Sequence, residues 1–422
     1  MLSKLPPELL AIVLTHVTRT DLKRLCEVSK GICILVTPYL YKSIIIPATQ
    51  SAARNIIYAI TKLNQAQLVH TRDLGLCGPF HGMGPGKPCS FHHPLHRGNE
   101  HPGSESSVFE PISELVDNLW DLGTCLPDEL AHRINLILKD QNQITSLSLI
   151  TDSDCKVNKD ASCSLNLVQL SKLRYLSWKG LKRYGDFESV RGLIAAHGAQ
   201  LKTLDLDLIG WDSARLAWTH GFRQKSTPNA RLPENFFAQC VLGVQHEELR
   251  TSLPALQHLA LSQVSFSPME IEWVDRLNVG NLHALQLTNC PGTFRFLRQI
   301  IRSGVLLKLK LLELTFNPEH LNQITDESQD NIAETVKTFL KAFSGLTDLY
   351  LMLPSIAWGS LHESIPHHSP TLKRLITHSL ERTEYSGYED GELLSSTYDH
   401  LTSAQTPGLE FFGASVSLDH LV

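Results

Sequence analysis

Long apolar runs are missing from this chain of 422 residues. No stretch approaches the roughly 18–20 consecutive apolar residues that cross a bilayer. The start, Met1-Leu-Ser-Lys-Leu-Pro-Pro-Glu8, has no uninterrupted apolar region of the kind a signal peptide carries. The expectation is a protein of the cytoplasm, the nucleus or both, with no membrane partner. A surplus of positive charge is also missing. The 38 Lys and Arg stand against 43 Asp and Glu, and no basic cluster offers the counterion-releasing surface that nucleic acid requires. Nine cysteines without a framework of spacings, and no N-x-S/T sequon, argue for reduced thiols in a reducing compartment.

Chemistry that dictates spacing is absent too. His246-Glu-Glu-Leu-Arg250 lacks the second histidine of H-E-x-x-H, no G-x-S-x-G elbow occurs, and no G-x-G-x-x-G follows a strand. The region 78–107 is rich in Gly, Pro, His and Ser. Around it Cys77, His81, Cys89, His92, His93, His96 and His101 crowd together, but paired zinc-ligand spacings are not met by a second Cys pair. Gly82-Met-Gly-Pro-Gly-Lys87 has His81 and Pro88 where a phosphate loop needs Gly and Ser or Thr. The region reads as an insertion. No catalytic residue, metal or cofactor is expected.

What the chain does have is leucine at intervals. Leu282-His-Ala-Leu-Gln-Leu-Thr-Asn-Cys290 places Leu285 and Leu287 on one face of a short strand and Ala284, Gln286 and Thr288 on the other. Such a strand cannot bury its leucines alone. Equivalent leucines recur at 147, 176, 204, 259, 285, 312, 349 and 375, at intervals of 29, 28, 55, 26, 27, 37 and 26. The pattern resembles the leucine-rich repeat, L-x-x-L-x-L-x-x-N/C, in an irregular form. A helix over 326–344, with Ile332, Val336, Phe339, Leu340 and Phe343 on one side, accounts for the interval of 37. Arg72 to Leu76 reads as the first strand of the array, and Leu409 to Ala414 as a degenerate last one.

Residues 4–46 differ from the rest. Pro6 and Pro7 suit the first turn of a helix whose apolar stripe is Leu10, Val13, Leu14 and Val17, widened by Leu9 and Ile12. Thr18-Arg-Thr-Asp21 reads as a capping box opening a second helix with Leu22, Leu25 and Val28. A third apolar segment runs from Ile32 to Leu40, interrupted by Pro38. The string Leu5-Pro6-x-Glu8-Leu9-Leu10-x-Ile12, then Asp21-Leu22, Val28-Ser29-Lys30 and Pro38-x-Leu40-Tyr41-x-x-Ile44 resembles the F-box. It departs at Ile32, near which the family often has an aromatic residue. A plain helical cap over the first repeat is the other reading of these residues.

Together the two resemblances imply an α/β chain: a three-helix F-box at residues 1–48, then an irregular leucine-rich-repeat solenoid, a horseshoe, over 49–422. Insertions are expected at 78–107 and 211–245. The implied role is the substrate-recognition subunit of an SCF-type ubiquitin ligase, itself non-catalytic. It would bind Skp1 through Leu5, Pro6, Glu8, Leu9, Leu10, Ile12, Val28, Ser29 and Ile32, reach cullin through Skp1, and hold an unknown target protein. The alternative is a Skp1-bound or stand-alone scaffold for protein–protein interaction. Strand alternation turns one set of residues away from the leucines, and there four acids stand against two bases. A basic target segment is expected on Tyr175, Tyr350 and Met352, oriented by Asp205, Asp207, Glu313 and Asp348.

Overall fold

A two-residue period forces every second side chain of a strand to the same face, so the leucines above need strands laid side by side. The computed structural model describes residues 6–47, 69–77, 143–150, 165–181, 184–208, 253–266, 276–316, 329–354, 364–380 and 408–414, with isolated positions between them. A helix that apolar spacing predicts at 51–68, the insertion expected at 78–107 with its histidines, nearly all of a helical pattern at 111–141 and of the insertion expected at 211–245, a polar connection at 152–164, and Leu5 lie outside the described residues. The chain forms two compact units, Met1–His197 with His220–Thr227, and Gly198–Thr219 with Pro228–Val422.

The first unit opens with α1 (Pro7–Thr15), α2 (Arg19–Val28) and α3 (Lys30–Leu40). Prolines start α1, where a missing N–H costs nothing. The Thr18 hydroxyl accepts the Asp21 N–H at 3.3 Å and donates to the Asp21 carboxylate at 2.7 Å, so the expected cap is formed. Ser29 caps α3 in the same way, accepting the Ile32 N–H at 3.2 Å. Leu14, Leu22 and Val36 make the core of the three helices, with Leu10, Val17, Leu25 and Ile32 packed on it. Two expectations are corrected here. Pro38 does not interrupt the third helix: it sits in the last turn of α3, which continues to Leu40. Val13 is not part of the buried stripe, being 42% exposed.

Four parallel strands follow in chain order: β1 (Ser43–Pro47), β2 (Asp73–Cys77), β3 (Ser146–Ile150) and β4 (Tyr175–Leu181). Ile44, Leu74, Leu147 and Leu176 are successive register partners. Array strands therefore begin at β1, one strand earlier than expected. Behind β4, α4 (Tyr184–His197) buries Phe187, Val190, Leu193 and Ile194, the residues its periodicity predicts.

In the second unit β5 (Thr203–Leu208), β6 (His258–Ser262), β7 (Ala284–Thr288), β8 (Leu311–Thr315), β9 (Asp348–Pro354), β10 (Arg374–Leu380) and β11 (Phe411–Ala414) pair in parallel, each with the next. Leu204, Leu259, Leu285, Leu312, Leu349 and Leu375 are partners across the ladder, and Phe412 completes the row. All six leucines are buried. The degenerate strand near the C-terminus is thus β11. The turns after β6 and β7 recur as well. Gln263 and Asn289, each one residue past its strand, take left-handed backbone at φ 59° and 49°, and each donates its N–H to the end of the next strand.

Aromatic side chains fill the space behind the leucines. Phe266 stacks on Phe296 with ring centroids 4.4 Å apart and meets Trp273 edge-on at 4.7 Å. Phe296 belongs to α5 (Thr293–Ser303), which ends at Gly304 in left-handed backbone, as helix termini often do. Next to it packs α6 (Gln329–Lys341), joined by a 3.0 Å bond from Arg298 to the Thr335 hydroxyl. The described helix is shorter than the expected 326–344, yet Ile332, Val336, Phe339, Leu340 and Phe343 are all buried as its periodicity requires.

Two buried polar groups give measurable consequences. Cys290, the last position of the template, is fully buried, and its thiol donates to the Leu261 carbonyl at 3.2 Å. Burial pushes its pKa up to about 12. In the native protein at pH 8, iodoacetamide should label the half-buried Cys26 and Cys33 and leave Cys290 unmodified until urea unfolds the chain. Peptide mass mapping checks this; early labelling of Cys290 would show that the site opens without unfolding.

His368 is 1% exposed, and its Nε2 lies 3.0 Å from the Leu340 carbonyl. Its Nδ1 has no partner among the described residues. Burial, aided by the charge of His367, lowers its pKa from 6.5 to about 4. Protonation is therefore harder in the folded state than in the unfolded chain. The associated stability is present above pH 6.5 and lost as pH falls toward 4, with about 2 kcal/mol gone by pH 5. His368→Gln keeps a donor for Leu340 and removes the titration. Its urea midpoint should fall less than the parent's between pH 7 and pH 5, and parallel curves would contradict the assignment.

Candidate binding surfaces

The sequence of α1, Pro-Glu-Leu-Leu-Ala-Ile-Val-Leu-Thr, is apolar nearly all the way round. One side packs inward through Leu10 and Leu14. The other turns Leu9, Ile12 and Val13 outward, at 51%, 58% and 42% exposure. Val28, at the end of α2, is 66% exposed. A helix that is apolar on all sides is ordinarily buried on all sides, so this surface calls for a partner.

Among the other expected contact residues, Leu10, Ser29 and Ile32 serve the local fold. Pro6 precedes α1, and Glu8 lies in its first turn. Ser29 caps α3, while Leu10 and Ile32 pack on the three-helix core. Leu9, Ile12 and Val28 are thus exposed apolar positions of the F-box helices, while Leu10, Ser29 and Ile32 take part in its packing and capping. Ile34 and Leu35 on α3, 66% and 46% exposed, were missed. Their signal was in the sequence, because Ile32-Cys-Ile-Leu-Val36 is too uniformly apolar for one buried stripe.

Residues 2–38 match the family model of the F-box domain. The chain carries an N-terminal F-box. That domain implies Skp1 binding, and F-box proteins are in general non-catalytic substrate receptors. No curated protein matches the chain. Among the described residues, no group of three or more His, Cys, Asp or Glu is placed to hold a metal ion, and no helix is long and apolar enough to cross a membrane.

Beyond the F-box, the outward face of the strands carries the expected target residues. Tyr175 stands 43% exposed on β4 in the first unit. Asp205, Asp207, Glu313, Asp348, Tyr350 and Met352 belong to the second unit and share one face of its sheet. Asp348 and Glu313 have partners within the sheet. Asp348 is buried, pairs with Arg374 Nε and accepts the Thr347 hydroxyl at 2.7 Å. The carboxylate in turn raises the Arg374 pKa. Glu313 accepts Gln286 Nε2 at 2.6 Å and the Thr315 hydroxyl at 3.4 Å. Asp348 and Arg374, counted among the four acids and two bases, thus pair with each other.

Proposed function

We propose that the protein is the substrate-recognition subunit of an SCF-type ubiquitin ligase. The F-box, residues 1–48, docks on Skp1 through Leu5, Pro6, Glu8, Leu9, Leu10, Ile12, Val28, Ser29 and Ile32, of which Leu9, Ile12 and Val28 offer exposed apolar side chains. Residues 49–422 form a leucine-rich-repeat solenoid whose outward strand face holds a target protein. Catalysis on the target is then a matter of tethering: a bound lysine is kept at high effective concentration near a charged E2 enzyme carried by the cullin. The receptor makes and breaks no bonds. The cytoplasm and the nucleus are its proposed compartments.

The observation that carries this reading is the outward apolar surface of an F-box whose inward side is already filled. Co-purification of the tagged chain separates the alternatives. Skp1 together with cullin supports the ligase receptor, Skp1 without cullin a non-ligase adaptor protein, and neither a plain scaffold.

A further inference from the structure

We infer that Cys26 and Cys33 form a peroxide-responsive thiol pair, which closes to a disulfide between α2 and α3 and lowers the capture of Skp1 until it is reduced. The chemistry stands on the helix pair itself, while its effect on capture deepens the Skp1-binding reading and rests on it. Helix period sets the two thiols opposite each other. Leu22 on α2 and Val36 on α3 share one core. Cys26 lies four residues after Leu22 and Cys33 three before Val36, so each stands on the same helix face as that core residue, one turn nearer the junction of the helices. The junction is the single residue Ser29, with extended backbone at φ −162° and ψ 155°, and it keeps the two helix ends close. Cys26 packs on the shared core, and the Cys26 and Cys33 side chains hydrogen-bond each other.

Both thiols are free and half-buried. Half-burial suits a switch, because a small oxidant reaches the sulfurs while packing holds them toward each other. Burial, then the bond and charge of Cys33 and the charge of Glu27, hold the Cys26 thiol above its ordinary range. Little Cys26 thiolate is present near neutral pH, which slows its reaction with background oxidant.

The oxidant is hydrogen peroxide. One sulfur, as thiolate, attacks a peroxide oxygen; the O–O bond breaks, a sulfenic acid forms, and the departing hydroxide takes up the proton that the thiol released. The other thiol attacks the sulfenic sulfur, an S–S bond forms, the S–O bond breaks and water leaves. Two thiols and one peroxide give one disulfide and two waters, and an added dithiol reverses the change by exchange. A covalent S–S bond is shorter than the hydrogen-bonded contact it replaces, so α2 and α3 are drawn together about Ser29. Val28, next to Ser29 and 66% exposed, shifts with the end of α2.

The test treats the reduced full chain with a small excess of hydrogen peroxide, quenches with catalase, blocks free thiols with iodoacetamide and maps tryptic peptides. Cleavage after Arg24, Lys30 and Lys42 puts the two cysteines on separate peptides, 25–30 and 31–42. These should appear joined, two hydrogens lighter than their sum, and should part on adding dithiothreitol. Affinity for untreated Skp1 should fall about tenfold on oxidation and recover on reduction. Cys26→Ala and Cys33→Ala, each tested alone, should keep the helical circular dichroism and capture of the parent and lose both the joined peptide and the peroxide response. Separate oxidation of the two sulfurs, a bond to another cysteine or a second chain, a joined peptide with unchanged capture, or the same peroxide response in both variants would overturn the inference. Failure of the reduced parent to capture Skp1 sinks the receptor reading instead, and the joined peptide, read without Skp1, still decides the thiol pair.

Discussion

Leu9→Glu combined with Ile12→Glu should abolish capture of Skp1 and leave the fold intact. Both side chains are more than half exposed in the free chain, so the charges are solvated there and the three-helix core of Leu14, Leu22 and Val36 is untouched. At an interface the same charges would be buried without partners, at a cost of several kcal/mol, which is a loss of at least about a hundredfold in affinity. Pull-down with purified Skp1 measures the loss, and circular dichroism with thermal melting measures the fold. Leu10→Glu is the contrasting variant, since Leu10 packs on the core and its replacement should lower the melting temperature as well. A folded double variant that still captures Skp1 would remove α1 from the interface and with it the basis of the proposed function.

The second large effect is expected at the centre of the leucine ladder. Leu285 is fully buried between its register partners Leu259 and Leu312, and Leu285→Ala leaves a cavity that neighbouring strands cannot collapse into without breaking register. The expected destabilisation is about 2–5 kcal/mol by urea unfolding. Leu306→Ala, at a site 76% exposed, should stay within about 0.5 kcal/mol of the parent. The contrast separates leucines that form the core from leucines that merely occur near it. Equal midpoints for the two variants would mean that the ladder is not a stabilising core. Skp1 capture should survive in both, because the F-box has its own core.

Strand phase was legible because it depends only on near neighbours. Alternation in Leu-Gln-Leu or Leu-Asp-Leu is enough to say which side chains are buried, and the leucines at 204, 259, 285, 312, 349 and 375 do share one row. Helix caps were legible for the same reason: Thr18 reaches only to Asp21, and Ser29 only to Ile32. The errors arose where the pattern was uniform or the partner distant. In α1 and α3 nearly every position is apolar, so periodicity cannot say that Val13 and Ile34 point outward while Leu14 and Val36 point in. Pro38 suggested a break, but α3 runs through it and ends two residues later at Leu40. β1 was absorbed into the helical module, since Ile44 alone could not announce a strand without Leu74 beside it.

From the residues alone, then, came the chain's division into a helical start and a repeated strand pattern, the phase of each strand and the identity of the buried leucines, all consequences of contacts made within a few positions. Only the tertiary structure decided which outward residues meet. Asp348 and Arg374 lie 26 positions apart and become neighbours because parallel register sets β9 beside β10. Glu313 finds Gln286 by the same means, 27 positions away. Those pairings hold two of the face's acids within the sheet. The physical reason is that burial is dictated by the period of a segment, whereas charge compensation depends on what the next strand brings alongside.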